Sequence, residues 1–159
     1  MNYSYRGKTL EINDARICYR NFKGLISKYN KNGKKEFSVI IPNEEIADAL
    51  AKDGWNIKIK PSNMEGEKPF ITLPVKVNFD GRPPAIYVKS GNNTPKKLDE
   101  ESIGILDDID IISVSLDLNP YDWDVNGKTG VSAYLDSMLV VQNVDRFGAM
   151  CADNEEAPF

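Results

Sequence analysis

Short segments in which apolar and polar residues alternate recur along most of this chain, and they restrict its fold more than any other feature. Alternation with a period of two is typical of strands that bury one face. Asn, Gly and Pro, which favour turns, separate the segments. The pattern predicts strands at residues 15–27, 35–41, 55–60, 70–79, 84–90, 109–118 and 131–142.

Two local signals refine this outline. Asn32-Gly33, between the first two predicted strands, favours a type I′ turn because both central residues of that turn need positive φ, so we expect these strands to pair. Asn43 as an N-cap and Gly54 after the last turn predict one short helix at residues 44–53. Residues 92–110 predict an irregular connection with at most one helical turn.

The predicted elements add up to a mainly β domain, either a small barrel or a sandwich. The alternating βαβ units that a Rossmann-type fold needs are absent from the pattern. A domain within 159 residues buries roughly two thirds of the surface of its unfolded chain, so it needs no disulfide or metal for stability. Periodicity ends near Asp145, which divides the chain into a domain at residues 1–144 and a flexible acidic tail at residues 145–159.

The composition argues against an enzyme. The chain has no histidine, which removes the commonest general base at neutral pH and the most frequent zinc ligand. Cys18 and Cys151 are far apart and predict no disulfide framework. No motif in residues 99–124 places two carboxylates at the fixed separation that a carboxylate-dependent hydrolase needs. The aspartates of this segment lack the spacing of a calcium-binding loop, and Pro120 interrupts them. We therefore expect no catalysis, no metal and no cofactor.

The net charge of -4 hides a strong asymmetry. Residues 1–97 hold 18 Lys and Arg against 10 Asp and Glu, a balance of +8, whereas residues 98–159 hold 2 against 14, a balance of -12. A difference this large predicts a basic surface for a polyanion beside an acidic segment with a separate role.

Basic side chains repeatedly fall on the solvent-facing side of the predicted strands. A sheet face with cations and aromatic rings at two-residue spacing suits a single nucleic-acid strand, because the cations neutralise phosphates and the rings stack on bases. Lysine on exposed strands also protects edges against aggregation, and that interpretation stays open. The predicted nucleic-acid contacts are Arg16, Arg20, Lys58, Lys60, Lys76, Arg82, Tyr87, Lys89 and Trp123.

The aromatic residues divide by their place in the pattern. Tyr87 alternates with apolar neighbours and is the better stacking candidate. Tyr121 and Trp123 lie in a predicted loop beside two aspartates that would repel phosphate, so the pair either stacks on bases or packs over the end of the barrel. Tyr3 and Tyr5 lie in a terminus predicted to be flexible. The residues predicted to be core are Tyr19, Phe37, Trp55 and Phe70.

The last seven residues combine acidic side chains with a terminal Pro-Phe. A flexible hydrophobic residue at a terminus gains no packing within its own domain, so its physical use is capture by a partner. The ring would fill an apolar pocket while the carboxylates meet a basic rim. The predicted partner-binding residues are Asp153, Glu155, Glu156, Pro158 and Phe159.

This tail resembles the acidic C-terminal tip of bacterial single-stranded-DNA-binding proteins, which recruits replication and repair enzymes. Ala157 stands where that tip usually has a bulkier residue. Residues 113–143, notably the runs 130–133 and 140–142, resemble the last two strands and connecting loop of phage OB-fold single-stranded-DNA-binding proteins. The resemblance implies a five-stranded OB barrel with added strands, a basic groove and no catalysis.

The residue patterns and the resemblance together predict sequence-non-specific binding that protects single-stranded DNA in phage replication and recombination, with partner enzymes recruited by the tail. No stretch approaches the roughly 18 apolar residues of a membrane span, so we expect the cytoplasm of a bacterial host cell and no membrane contact. The alternative function is a non-catalytic phage protein–protein interaction module. The sequence leaves open whether the chain forms a homodimer.

Overall fold

The computed structural model describes residues 1–28, 30–62 and 64–143, and every segment predicted to be a strand contains one. In chain order the elements are β1 (Asn2–Arg6), β2 (Thr9–Asn21), β3 (Lys35–Ile40), α1 (Glu44–Lys52), β4 (Lys58–Lys60), β5 (Phe70–Val77), β6 (Ala85–Ser90), β7 (Lys96–Leu98), a 3₁₀ helix (Ile103–Asp107), β8 (Ile111–Val125) and β9 (Lys128–Gln142).

Five of these strands close into a barrel in the order β2-β3-β5-β9-β8. Their pairings are antiparallel except the closing one, where Val75 of β5 lies opposite Ala133 of β9 in parallel register. A closed barrel of five strands with extra strands and one helix is consistent with an OB-fold, as predicted. Strands β1, β4, β6 and β7 are the additions, and each pairs with a barrel strand or with its neighbour.

The first barrel strand begins earlier than predicted, at Thr9, and β1 pairs with it. Gly7, with φ of +63°, helps to form the short turn that joins the two strands. Tyr5 lies opposite Leu10, and its hydroxyl accepts a hydrogen bond from Trp55 Nε1 at 2.8 Å. The prediction of a flexible terminus is therefore wrong, because this tertiary contact and the strand pairing hold β1.

The two Asn-Gly pairs behave differently. Asn126 and Gly127, with φ of +53° and +78°, form a two-residue turn, and Val125 pairs with Lys128 directly beside it. Strands β8 and β9 therefore extend beyond the barrel as a two-stranded ribbon, residues 119–132, where the sequence predicted a loop. At the first pair only Gly33 has positive φ, and residues 22–34 form a longer connection between β2 and β3, which pair as predicted.

Helix α1 forms at its predicted position. The Asn43 side chain accepts a hydrogen bond from the Ile46 amide at 2.8 Å and so caps the helix, as the sequence indicated. Ala47 and Leu50 are buried against the rest of the core. Among the described residues, no helix is long and apolar enough to span a membrane.

The core fills the barrel and continues under the connection between β6 and β8. Phe22 and Phe37 stack inside it with ring centroids 5.1 Å apart. The connection contains β7 and the 3₁₀ helix, whose Ile103 and Leu106 are fully buried. The predicted helical turn is therefore present, and it packs into the core.

Candidate nucleic-acid interface

One outer face of the barrel carries consecutive cross-strand partners from four strands. Arg16 lies opposite Ile40, Ile40 opposite Thr72, and Thr72 opposite Lys58. Opposed residues in a sheet point to the same side, so this row shares one face with the residues two positions along each strand. We call this surface the barrel face; its members are Arg16, Cys18, Tyr19, Glu36, Ser38, Ile40, Lys58, Lys60, Phe70, Thr72, Pro74 and Lys76.

An aromatic pair lies on the barrel face. The rings of Tyr19 and Phe70 meet edge to face with centroids 6.1 Å apart, and Tyr19 is 63% exposed. They border a shallow depression of about 270 Å³ that Lys58 and Lys60 also line. Exposed ring edges beside two ammonium groups can stack bases and contact phosphates in one site.

Tyr19 reaches this face through an irregularity in β2. The register between β2 and β3 shifts between Cys18 and Asn21, and Tyr19 has φ of +51°. A bulge of this kind inverts the alternation, so that Tyr19 points outward although Ile17, two residues earlier, packs against the core. The prediction of a buried Tyr19 is wrong for this reason, and that of a buried Phe70 is wrong as well.

A second aromatic pair lies where the ribbon leaves the barrel. The rings of Tyr121 and Tyr134 are 5.6 Å apart, and Lys76 Nζ lies 5.7 Å from the centroid of the Tyr134 ring. Lys76 and Tyr134 are partners across the closing pairing of the barrel. This arrangement sets a cation against an aromatic surface at the end of β5.

Trp123 lies on the same side of the ribbon as Tyr121, because the two are two residues apart on β8. It is paired with Gly130, and a methyl group on Gly130 would come within 2.6 Å of the indole carbon Cζ2. The glycine thus gives the indole a place against the backbone of β9. Trp123 packs on a strand of the ribbon and does not lie in a loop.

Strand β5 joins the two aromatic pairs. Phe70 and Lys76 occupy alternate positions on its outer side, six residues or about 20 Å apart at the usual rise of a strand. We call the surface from Tyr19 and Phe70 along β5 to Tyr134 and Tyr121 the track. Among the described residues, the salt bridges leave Arg16, Lys58, Lys60 and Lys76 unpaired.

A groove of about 350 Å³ continues the track beyond Lys76. Its walls include Tyr134 from β9, Lys34 from the end of the 22–34 connection and Lys35 from the start of β3. Lys35 lies 3.6 Å from Glu100, which neutralises part of its charge. Arg82 lines an adjoining depression that also borders Tyr134.

Arg20, which the sequence predicted to contact phosphate, instead binds backbone carbonyl groups. Its Nη1 donates to the carbonyl oxygens of Leu106 and Ile109, at 2.8 and 2.7 Å. The bulge that turns Tyr19 outward also separates Arg20 from Arg16, with which simple alternation would group it.

Tyr87 and Lys89 lie on β6, outside the closed ring. They are the parallel partners of Leu139 and Val141, and Lys97 of β7 lies opposite Tyr87. Leu139 is five residues past Tyr134 on β9, roughly 16 Å along the strand. The structure therefore places these two predicted contacts in a basic patch apart from the track.

Cys18 lies on the barrel face, opposite Ser38. Burial raises the pKa of its thiol, so the group stays protonated at neutral pH and is a poor nucleophile. The predicted tail residues Asp153, Glu155, Glu156, Pro158 and Phe159, and the second cysteine, Cys151, lie outside the described residues.

Four aromatic residues of the track were not among the predicted contacts, and the sequence held a signal for two of them. Phe70 alternates with the buried Ile71 and Leu73, and Tyr134 lies between the buried Ala133 and Leu135. Strict alternation places both outward. Nothing in the sequence marks the bulge at Tyr19. The sequence offered Tyr121 only as part of a loop pair with Trp123, and the structure places it on a strand of the ribbon. Phe37 and Trp55 are buried as predicted, at 1% and 5% exposure.

Comparison with known proteins agrees with the fold. A family model described as a putative phage ssDNA-binding domain matches residues 2–157. The single-stranded DNA-binding protein of bacteriophage Enc34, as a C-terminal truncation, has a TM-score of 0.56 at 12% identity over 87% of each chain. The same phage protein in complex with ssDNA has a TM-score of 0.54 at 12% identity, over 88% of this chain and 89% of that one. No curated protein sequence matches the chain.

Proposed function

The chain belongs to the family of putative phage ssDNA-binding domains, and on that premise we propose that it binds single-stranded DNA, without sequence preference, along the track. The observation that carries the proposal is the pair of exposed aromatic contacts at the two ends of β5, Tyr19–Phe70 and Tyr121–Tyr134. Rings can stack on bases only where the bases are unpaired. The track therefore favours a single strand over a duplex.

The cations of the barrel face supply the other half of the interaction. Arg16, Lys58, Lys60 and Lys76 are exposed on the face that carries Tyr19 and Phe70 and would contact phosphates, while Arg82 lines the depression that adjoins the groove. Phosphate contacts carry no sequence information, and stacking tolerates every base. Both properties support binding without sequence preference.

A titration with oligothymidylate at several salt concentrations tests the proposal. Contacts to four phosphates give a slope of log affinity against log salt of about -3, because each neutralised phosphate contributes about -0.7 on a single strand. We expect quenching of tryptophan fluorescence, since Trp123 lies beside the track. Equal affinity for a duplex of the same length, or binding that does not respond to salt, would contradict the proposal.

The proposed role in the phage is protection of single-stranded DNA during replication and recombination, without catalysis, in the cytoplasm of the bacterial host. The tail would recruit partner enzymes through Pro158 and Phe159 and, being anionic, would compete with DNA for the track. Deleting residues 153–159 should then tighten DNA binding and abolish capture of replication proteins from the host. Unchanged DNA affinity would show that the tail does not compete with DNA for the track.

A non-catalytic interaction module is the second candidate, and the basic track also fits an acidic protein surface. The two functions differ in what the aromatic rings do. Substituting Tyr19 and Phe70 by leucine keeps apolar area but removes ring stacking. It should weaken oligothymidylate binding, whereas an acidic partner held by charge would be retained.

A further inference from the structure

The connection between β2 and β3 exposes two adjacent aliphatic side chains. Leu25 is 62% exposed and Ile26 is 75% exposed, the highest value among the large hydrophobic residues that the structure describes. An isolated exposed residue is ordinary on a protein surface. Two in succession form a small, largely exposed apolar surface, which we call the tip, beside the chain reversal between Ser27 and Asn30.

This loop, residues 22–34, is braced by two asparagines. Asn21 Oδ1 accepts from the Leu25 amide at 2.8 Å, and the buried Asn30 donates to the carbonyl oxygens of Leu25 and Lys34 at 3.0 and 2.8 Å. Asn30 Oδ1 also accepts from the Lys34 amide at 3.0 Å. The backbone around Leu25 is therefore held by hydrogen bonds that do not involve the exposed side chains.

The two sides of the loop approach each other closely. A methyl group on Gly24 would lie 2.7 Å from the Gly33 carbonyl oxygen, and both glycines have positive φ. At its base, Asp107 accepts from the amides of Phe22 and Lys23 at 2.7 and 3.0 Å. The loop is thus pre-organised to present its apolar tip, and a pre-organised contact costs less ordering entropy on binding.

The charged residues within the loop sequence are all lysines. Lysines stand at positions 23, 28, 31, 34 and 35, and no acid occurs between Lys23 and Glu36. Lys23 is paired with Asp108 at 2.7 Å and Lys35 with Glu100. The loop's far end, at Lys34, lines the groove that continues the track past Tyr134. A loop that carries both an apolar tip and several lysines fits a ligand that has phosphates and apolar faces together, as a nucleic-acid strand does.

We propose that Leu25 and Ile26 form an aliphatic wedge that packs between unstacked bases of the strand bound along the track, while Lys31 and Lys34 contact its phosphates. The proposal rests on the proposed function and extends it to a contact outside the aromatic pairs. Apolar side chains inserted between bases are a known means of holding nucleic acid, and a single strand unstacks cheaply. The wedge would add affinity that salt does not remove.

The test compares oligothymidylate with an abasic strand of equal length. The double variant Leu25→Ser, Ile26→Ser should bind oligothymidylate about ten-fold more weakly than the wild type, since each residue loses partial burial against a base. Its slope of log affinity against log salt should be unchanged. On the abasic strand the variant and the wild type should bind equally. Lys31→Gln should instead reduce the slope by about 0.7 on both strands.

Ile112→Ser is the matched control, because Ile112 is an exposed aliphatic residue, at 47%, that belongs to β8 and not to the loop. It should leave affinity for both strands unchanged. Thermal unfolding checks that the double variant keeps its fold, which the asparagine brace leads us to expect.

Three outcomes would overturn the wedge. The first is wild-type affinity of the double variant for oligothymidylate. The second is an equal loss on the abasic strand. The third is a loss of self-association in sedimentation without a change in affinity, which would assign the tip to a second copy of the chain. If the wild type itself binds no oligothymidylate, the proposed function fails with it, and that result is distinct from the other three.

Discussion

Lys76 Nζ lies 5.7 Å from the centroid of the Tyr134 ring, and the two residues are also partners in the parallel pairing that closes the barrel. The contact between Lys76 and Tyr134 therefore lies both where the barrel closes and within the track. The backbone pairing closes the barrel, and the exposed ammonium over a ring adds about 0.5 to 1 kcal/mol. The side chain can therefore be changed without opening the barrel.

Lys76→Gln should weaken single-stranded DNA binding and reduce the slope of log affinity against log salt by about 0.7, the value for one phosphate contact. Titrations with oligothymidylate at three or more salt concentrations measure both. The control is Lys8→Gln, because Lys8 lies beside Asp53 and Asp122, whose charges would repel phosphate. An unchanged slope for Lys76→Gln would remove this lysine from the interface.

Tyr19 combines an exposed ring with φ of +51°, a left-handed conformation that costs a tyrosine about 1 to 2 kcal/mol and costs glycine almost nothing. Tyr19→Gly should therefore raise or maintain the free energy of unfolding while it weakens DNA binding about ten-fold through loss of one stacking ring. Urea unfolding and the oligonucleotide titration measure the two effects.

The matched control is Asp14→Gly, because Asp14 has φ of +53° but lies outside the track. This variant should gain stability in the same way without losing affinity. If Tyr19→Gly loses stability and Asp14→Gly gains it, the Tyr19 ring supports the fold more than it serves the site.

The sequence was sufficient for the fold where local chemistry acts alone. Asn43 caps α1, the alternating segments form the barrel strands, and Phe37 is buried as its position in the pattern indicates. These features depend on residues a few positions apart. The closure of the barrel between Val75 and Ala133 depends on residues far apart in the chain, and only the resemblance to phage proteins implied it.

The site was less predictable because a single register shift changes which side chains point outward. Between Cys18 and Asn21 the shift moves Tyr19 to the surface and turns Arg20 to backbone carbonyls. Period-two reasoning assigned both residues to the opposite roles. The Asn126-Gly127 turn changed another assignment, since it made strands of residues predicted to be a loop.

Arg20→Gln tests the structural role of an arginine that the sequence assigned to phosphate binding. Two carbonyl oxygens, of Leu106 and Ile109, would lose a charged donor, and the free energy of unfolding should fall by about 2 kcal/mol. The salt slope of DNA binding should not change. Chemical unfolding and the titration are the measurements, with Arg16→Gln as the comparison, for which we expect a reduced slope and near wild-type stability. A reduced slope in Arg20→Gln would contradict this structural role and support a phosphate contact by Arg20.

The hydroxyl of Tyr5 ties β1 to the segment that follows α1. It donates to Asp53 Oδ2 at 2.6 Å and accepts from Trp55 Nε1 at 2.8 Å. Burial, and then the hydrogen bond to Asp53, raise the pKa of Tyr5 from 10.0 to about 12. The folded state therefore favours the neutral phenol.

The stability that Tyr5 gains in this way should be fully present below pH 10 and should be lost as the pH rises from 10 to about 12. Tyr5→Phe has no group to titrate at this position, so the wild type should lose free energy of unfolding relative to the variant across that interval. Every other titrating group is common to both proteins and cancels in the difference. Urea unfolding of both proteins across this range measures it, and a constant difference up to pH 12 would contradict the shift. At neutral pH the variant should already be about 1 kcal/mol less stable, because Trp55 Nε1 loses its acceptor.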